Sequence, residues 1–346
     1  MYIKDLICIS PQQTYSPAFL QGSIELFNTN HYLAIEPSYE ELIPSSKLRR
    51  MGKVMRMGIG TGLPLLNKYP DTKGIILATS EGGVEDSMNF LNQVVKYQEG
   101  ALTPTNFVQS TPNAIAGLLA LMTKNTGYNE THVNKGLAFE SALTDASLFL
   151  EEEQGARLLL GGLDQFSVYN YNIELLAGAY KKQYVESSLL LGSGTPGTVC
   201  GEGSAMFIID SQKEGALAQI KEVGQGSGLS FTELMDRLRA LLTMNNMVPE
   251  DIDAIVLGYS GDVETDTWYD KVRQELFPGQ AVYSFKNLVG EYPTVSAFAL
   301  WFATQLLSGF MPPKEAVLKT LGKKPKRILI YNHYRALQHG YMLLTV

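Results

Sequence analysis

Short apolar runs alternate with longer apolar segments along most of the chain. The short runs are rich in Ile, Leu and Val and lie at Ile3–Ile9, Gly74–Thr79, Arg157–Gly161, Ala205–Ile209, Ala254–Gly258, Val282–Phe285 and Arg327–Tyr331. Segments of helical length lie between them, at Asn113–Met122, Ser141–Leu150, Phe231–Leu242 and Val295–Leu307. Continuous apolar strands that alternate with helices are typical of buried, largely parallel sheets with helices on their faces. The pattern therefore predicts an α/β fold.

The two halves of the chain carry a similar succession of elements. Lys73–Gly83 (KGIILATSEGG) and Asp253–Asp262 (DAIVLGYSGD) each read as a strand that ends in a turn of small residues. Such an internal duplication indicates two similar α/β halves that share one core. We place the join in the polar segment Asp210–Gly215, which predicts an N-terminal half of residues 1–210 and a C-terminal half of residues 211–346. Because no flexible linker separates them, we expect one integrated unit.

Composition and charge exclude two classes of partner. The chain has 346 residues, of which 45% are apolar and 18% are charged, as in an ordinary globular protein. Its net charge is −7 and it contains no block of basic residues, so we expect no nucleic-acid groove. No stretch reaches the roughly 18 consecutive apolar residues that a membrane helix needs. We therefore expect no association with a membrane.

Cysteines and histidines are few. Cys8 and Cys200 both lie in apolar, strand-like contexts and read as buried thiols of a reducing compartment, which predicts a cytoplasmic protein. The four histidines show no metal-ligand spacing. We therefore predict no metal site and no other cofactor.

Three motifs of the first half follow one another in a characteristic order. Thr111–Gly127 reads TPNAIAGLLALMTKNTG, Gly161–Asp164 reads GGLD, and Cys200–Ala205 reads CGEGSA. In order and spacing they resemble elements of the β-ketoacyl synthases (3-oxoacyl-carrier-protein synthases), and the resemblance extends over most of the chain. It implies a thiolase-like fold of five layers, αβαβα, built from two pseudo-duplicated halves.

The resemblance also indicates where the catalytic groups of that family would lie. With no insertion between the first two motifs, the nucleophilic cysteine of the family maps to Gly136. In the second half, Ile252–Asp262 resembles the motif of the first catalytic histidine, which maps to Gly258. Lys286–Glu291 (KNLVGE) resembles the motif of the second histidine, which maps to Glu291. This chain therefore has none of the Cys/His/His set of the family.

Other positions of the family's cavity are partly kept. Lys286 matches the lysine of the second histidine motif. The segment Asn332–Gln338 (NHYRALQ) takes the place of the family's glycine-rich loop, in which only Asn332 is kept and Ala336 stands at the position of the gating phenylalanine. The space left by the lost catalytic groups is expected to be filled by tyrosines: Tyr259, Tyr292, Tyr331 and Tyr334.

The missing groups are the ones that decarboxylative condensation requires. A thiolate must carry the acyl chain as a thioester, and Gly136 cannot form one. Two N–H donors must stabilise the enolate that malonyl decarboxylation produces, whereas Gly258 has no side chain and an ionised Glu291 would repel the enolate. We therefore expect no condensing activity from this chain alone, although its family would be a family of acyltransferases.

Two other chemistries stay open. Glu140 lies one helical turn after Gly136 and could pair with Glu291, so that two carboxylates with a raised pKa would transfer protons in some other acyl chemistry. The preferred interpretation of Glu140 and Lys286 is structural, with Glu140 satisfied by backbone groups or by Lys135 or Lys286. Cys200 could be a relocated nucleophile, although no histidine lies near it in the sequence.

Within the family, the chain looks most similar to chain-length factors and accessory ketosynthases of polyketide, aryl-polyene or flexirubin-type pathways, which are related to fatty-acid biosynthesis. This resemblance implies a heterodimer with an active ketosynthase, or a homodimer, and an acyl carrier protein as a further partner. In the family the dimer joins edge strands near the nucleophile turn, here Thr131–Gly136. A non-catalytic partner is the preferred hypothesis, and a homodimeric protein that binds an acyl carrier is the alternative.

Overall fold

The computed structural model describes residues 1–80 and 82–346; Glu81, which belongs to the first copy of the predicted repeat, lies outside them. The strands are β1 Tyr2–Ile9, β2 Gly74–Ala78, β3 Tyr128–His132, β4 Arg157–Asp164, β5 Gly203–Asp210, β6 Ala218–Ser227, β7 Ala254–Leu257, β8 Ala281–Ser284, β9 Val317–Lys319, β10 Arg327–Tyr334 and β11 Gln338–Thr345. The helices are α1 Ser45–Leu48, α2 Lys53–Lys68, α3 Val84–Tyr97, α4 Pro104–Gln109, α5 Ala114–Thr123, α6 Ala138–Glu152, α7 Val168–Leu176, α8 Phe231–Met244, α9 Thr267–Leu276, α10 Lys286–Val289 and α11 Val295–Ser308.

The strand order repeats itself between the two halves of the chain. The described strands form one sheet in the order β3-β2-β4-β5-β1-β6-β11-β10-β7-β8-β9. In the first half β2 runs parallel to β3 and β4, while β5 runs antiparallel to β4 and β1. In the second half β7 runs parallel to β8 and β10, while β11 runs antiparallel to β10 and β6. The two halves therefore have the same topology and meet where β1 pairs with β6.

The expectation of a largely parallel sheet is wrong. Only β2 and β7 have parallel neighbours on both sides, and the middle of the sheet, from β5 through β1 and β6 to β11, is antiparallel. A continuous apolar run indicates that both faces of a strand are buried, and it carries no information on the direction of the neighbouring strands. The predicted α/β class is confirmed, with a mixed sheet.

Alternate residues of one strand point into different apolar clusters, which defines the layers. In β2, Ile76 packs into the central cluster, whereas Ile75 packs into an outer cluster together with α2 and α5. In β10, Ile330 packs into the central cluster and Leu329 into a second outer cluster with α8 and α9. Buried residues of α6 and α11 fill the central cluster. The layers are therefore helix, sheet, helix, sheet and helix, and both faces of the central strands are covered.

Helix α11 forms the middle of this core. Its sequence VSAFALWFATQLLS is apolar on nearly all sides, as a helix that is surrounded by protein requires. The Thr304 hydroxyl donates a hydrogen bond of 2.8 Å to the Leu300 carbonyl and so costs little when it is buried. In the described ranges 1–80 and 82–346, no helix has both the length and the apolar character needed to cross a membrane.

Candidate functional site

Gly136 lies in a sharp turn between a strand and a helix. Strand β3 ends at His132, a short 3-10 turn spans Lys135–Leu137, and α6 begins at Ala138. Lys135 has a φ of +45°, in the left-handed region that non-glycine residues rarely adopt. The Gly136 N–H donates a hydrogen bond of 2.9 Å to Gln338 Oε1. The chain thus has the tight turn that would aim a nucleophile, but no nucleophile in it.

Tyr334 occupies the space that a side chain at position 136 would need. A Cβ added to Gly136 would lie 2.2 Å from the Cβ and 2.6 Å from the Cγ of Tyr334, which is far inside van der Waals contact. Tyr334 is the last residue of β10 and pairs with Gln338 across a hairpin whose turn holds Arg335 and Ala336 at positive φ. The side chain against Gly136 is therefore that of Tyr334, two residues before Ala336, the residue that the sequence placed at the gate.

Gly258 is enclosed in the same way. A Cβ at this position would lie 2.4 Å from Asn332 Oδ1 and 2.5 Å from the hydroxyl of Tyr269. The Tyr269 hydroxyl donates to Asn332 Oδ1 over 3.3 Å and accepts the backbone N–H of His333 over 3.1 Å. This buried network leaves no room for an imidazole at position 258.

Lys286 and Glu291 form a buried ion pair. Lys286 is fully buried, and its Nζ lies 2.5 Å from Glu291 Oε2 and 2.9 Å from the His333 carbonyl. Burial raises the pKa of Glu291, and the Lys286 ammonium opposes that rise. An ammonium held between a carboxylate and a carbonyl braces the end of α10 against β10. Glu291 is thereby neutralised locally and does not present an isolated charge.

Glu140 lies in the first turn of α6 and has no exposed surface. Its carboxylate packs against β11, where a Cβ added to Gly340 would lie 2.2 Å from Glu140 Oε1. Neither carboxylate oxygen has a hydrogen bond of good geometry. Burial raises the pKa of Glu140 to about 7, although its own backbone, the Ser296 hydroxyl and the Lys286 ammonium oppose the rise. No hydrogen bond joins Glu140 to Glu291 in the described part of the chain.

Tyr259 and two further carboxylates brace the surrounding turns. The Tyr259 hydroxyl donates to Asp270 Oδ1 over 2.8 Å, so it anchors α9 and is not a loose cavity group. Asp164 accepts hydrogen bonds from the backbone and side chain of Thr294 and from Ser80 N–H, and burial raises its pKa to about 6. Asp266 accepts the N–H groups of the turn after β7. The Asp164 contacts join the carboxyl ends of β2 and β4 to the start of α11, and the other contacts tie the turn after β7 to α9.

Small cavities remain beside the Gly136 turn. One of about 60 Å³ is lined by Lys135, Cys200, Tyr180 and Tyr334, and a second of about 170 Å³ is lined by Glu291, Tyr180 and Tyr334. Sites for small ligands usually measure roughly 300–1,000 Å³, whereas a single water needs only about 10–15 Å³. Tyr180 and Tyr334 line both cavities, each of which is smaller than a usual ligand site, and Tyr180 also borders a separate, more open groove of about 1,160 Å³.

Cys200 faces the smaller cavity as a buried thiol. Burial raises the pKa of Cys200 to about 12, so the thiolate is scarce at neutral pH. Its Sγ points to the Gly201 carbonyl at 3.6 Å, and among the described residues Cys200 and Cys8 are both free of disulfides. This environment is unlike that of a nucleophile and disfavours the relocated-nucleophile alternative. Within residues 1–80 and 82–346, no three His, Cys, Asp or Glu side chains cluster in a way that would hold a metal ion.

Several of these contacts could not be found by motif. The sequence indicated Tyr334 only as one of four filling tyrosines, and it did not single out Tyr269, which closes the space at Gly258. The signal for Tyr269 is modest: it lies on the buried face of α9 together with Val272 and Leu276. Glu174, which pairs with Arg335 of the hairpin, gave no signal at all.

Comparison with known proteins establishes the fold. A β-ketoacyl synthase from Burkholderia phymatum STM815 superposes on this chain with a TM-score of 0.80 at 13% identity, and the match covers 99% of this chain and 98% of the synthase. The chain therefore has the thiolase-like fold of ketosynthases. Residues 30–183 match the family described as "Beta-ketoacyl synthase, N-terminal domain". None of the curated protein sequences gave a significant match.

Two further matches are multi-component ketosynthases. The ishigamide ketosynthase/chain length factor superposes with a TM-score of 0.78 at 15% identity and covers 100% of this chain and 99% of its own. A type II polyketide ketosynthase, AntDE, solved with its acyl-carrier protein AntF, superposes with a TM-score of 0.78 at 13% identity and covers 100% of this chain and 98% of its own. At such low identity these similarities establish the fold alone.

Proposed function

We propose that this chain is a non-catalytic ketosynthase-like subunit that pairs with an active ketosynthase in fatty-acid or polyketide-type biosynthesis. The observation that carries the proposal is the contact at Gly136, where Tyr334 fills the space of the nucleophile. A chain that had merely lost its cysteine would leave a vacancy there. Here the β10–β11 hairpin places Tyr334 in that space, as expected of a site that does not bind substrate.

The chemistry of condensation supports the same proposal. Each catalytic group of an acyl-transfer site contributes on the order of 10²–10⁴ in rate, whether as acid, base or oxyanion donor. The nucleophile position and one histidine position are glycines with occupied surroundings, and the other histidine position holds Glu291 in an ion pair with Lys286. With all three functions gone, an acyl chain would have to be carried by the partner.

The free edge at β3 offers a surface for that partner. In the described sheet β3 pairs only with β2, so its outer edge has unpaired backbone groups. Exposed apolar side chains occur on this part of the protein: Tyr128 on β3, Val133 just after it, and Leu121 on α5, which packs against β3. An exposed apolar band next to an open strand edge is typical of a two-fold or pseudo-two-fold interface. It includes the predicted segment Thr131–Gly136.

The proposal is tested by co-purification. The tagged chain is co-expressed with a ketosynthase that retains the Cys/His/His set and is encoded beside it, and the complex is analysed by native mass spectrometry. We expect a one-to-one heterodimer that Leu121→Arg disrupts. Leu318→Arg, which places the same charge on an exposed residue near the opposite edge of the sheet, is the matched control and should leave the complex intact.

Other outcomes separate the alternatives. A homodimer that ignores the ketosynthase but retains an acyl carrier protein would favour the carrier-binding alternative. A different acyl chemistry based on Glu140 and Glu291 has less support, because Glu140 faces Gly340 and Glu291 faces Lys286. We therefore do not adopt it.

A further inference from the structure

Helix α7 turns polar side chains toward the protein and apolar side chains toward solvent. Surface helices normally turn apolar residues inward and polar residues outward. In α7, the residues that line the 60 Å³ cavity are Asn170, Tyr171 and Glu174. The apolar residues Ile173 and Leu176 are 65% and 88% exposed. No residue of α7 is buried, so little apolar contact holds this helix to the body of the protein.

Specific contacts take the place of a buried apolar face. Tyr171 stacks on Tyr180 with ring centroids 5.1 Å apart and an angle of 14° between the planes. The Glu174 carboxylate, which lines this cavity, forms an ion pair with Arg335 of the β10–β11 turn, which lines the neighbouring cavity of about 170 Å³. Shortly after the helix, Gly178 has a φ of +83°, a left-handed conformation that favours glycine and ends α7 at its C-terminal cap.

The turn that supplies Arg335 is held in an unusual conformation. Arg335 and Ala336 are consecutive non-glycine residues with φ values of +56° and +52°. Such a conformation is unfavourable for residues that carry a Cβ and persists only where the surroundings enforce it. The Arg335 guanidinium also lies over the Tyr334 ring, 5.1 Å from its centroid. The ring that fills the space at Gly136 and the cation that reaches α7 therefore belong to one unit.

We propose that α7 is a hinged lid over the Cys200 cavity and that the Arg335–Glu174 ion pair is the latch that holds it closed. Elements with few buried apolar contacts open locally at low free-energy cost. When the latch breaks, α7 pivots near Gly178 and solvent reaches the cavity wall formed by Cys200. The lid is a property of this chain by itself and does not depend on the proposed partner.

Cys200 reports directly on the lid. The rate of its modification by methyl methanethiosulfonate is measured by digestion and mass spectrometry, in the wild type and in Glu174→Ala. The side chains of the pair are 39% and 22% exposed, so the pair contributes at most about 1 kcal/mol, which corresponds to about a fivefold change in the opening equilibrium. We expect Cys200 to react about two- to fivefold faster in the variant. Cys8, which is 1% exposed and lies away from the cavity, should react at an unchanged rate.

Three controls make the result decisive. Asp236→Asn breaks the exposed Arg239–Asp236 pair on α8 and should leave the Cys200 rate unchanged. High salt should accelerate Cys200 modification in the wild type but not in Glu174→Ala. The charge-swapped pair Glu174→Arg with Arg335→Glu should return the rate toward that of the wild type. Equal Cys200 rates in the wild type and Glu174→Ala would overturn the proposal. So would an equal acceleration of Cys8, since that would report general unfolding.

Discussion

The buried carboxyl group of Glu140 gives the protein an unusual dependence of stability on pH. Its pKa is raised from 4.5 to about 7 in the folded state because burial disfavours the charged form and no hydrogen bond of good geometry compensates. We predict that Glu140→Gln, which keeps the shape of the neutral acid, removes this dependence. The variant should be as stable as the wild type in acid and more stable at alkaline pH.

The sign and size of this difference in stability follow from the linkage between protonation and unfolding. Below pH 4.5 the group is protonated in both the folded and the unfolded state and contributes no difference. As the pH rises from 4.5 to about 7, the unfolded state releases its proton first, so the folded wild type loses stability. A shift of about 2.5 pKa units corresponds to about 3 kcal/mol at 1.36 kcal/mol per unit. Above about pH 8 the variant should therefore be more stable by about 3 kcal/mol.

Urea unfolding followed by circular dichroism at several pH values between 4.5 and 8.5 measures this difference. Asp164 and Asp266 also have pKa values raised to about 6 by burial, but they are present in both proteins and cancel in the comparison. Glu151→Gln, an exposed change on the same helix, is the matched control and should give a curve parallel to that of the wild type. A Glu140→Gln curve that also runs parallel to the wild type would refute the reasoning.

Two more predictions concern Gly136 and the ion pair of Lys286 with Glu291. Gly136→Cys should not restore a nucleophile and should lower the free energy of unfolding by about 1–3 kcal/mol, because its Cβ would collide with Tyr334. Urea unfolding measures the stability, and alkylation at position 136 measures the reactivity of the new thiol. Rapid alkylation with unchanged stability would contradict the account. Lys286→Met should lower the free energy of unfolding by about 3–5 kcal/mol at neutral pH because it leaves Glu291 buried without its partner. The double variant Lys286→Met with Glu291→Leu should lose much less stability. Equal losses of stability in thermal unfolding would count against the ion pair.

Much of the fold could be predicted because buried strands leave a strong signal. All seven apolar runs of the sequence became strands. Strands β3 (YNETH) and β6 (AQIKEVGQGS) were not among the predicted runs, and they are partly exposed and carry polar residues on both faces. The short strand β9 and the buried strand β11 were missed as well. Strand direction was also mispredicted, since side-chain burial does not depend on whether a neighbour runs parallel or antiparallel.

The packing around the candidate site could not be predicted from the sequence. The spacing of motifs predicts that the catalytic positions of the ketosynthases map to Gly136, Gly258 and Glu291, and this assignment stays a prediction. That Tyr334 fills the first of these depends on the positive φ of Arg335 and Ala336, a conformation that neither side chain favours. Long-range geometry of this kind is enforced by the packed surroundings and has no local sequence signature. The partner and the acyl carrier stay predictions.

The central claim is that this chain contributes no acyl-carrying nucleophile to a pair with an active ketosynthase. The most direct measurement incubates the co-purified pair with acyl-loaded carrier protein and determines the intact mass of each subunit after denaturation. We predict an acyl adduct on the partner ketosynthase and none on this chain, whose Gly136 turn is filled by Tyr334. An acyl adduct on this chain would contradict the account.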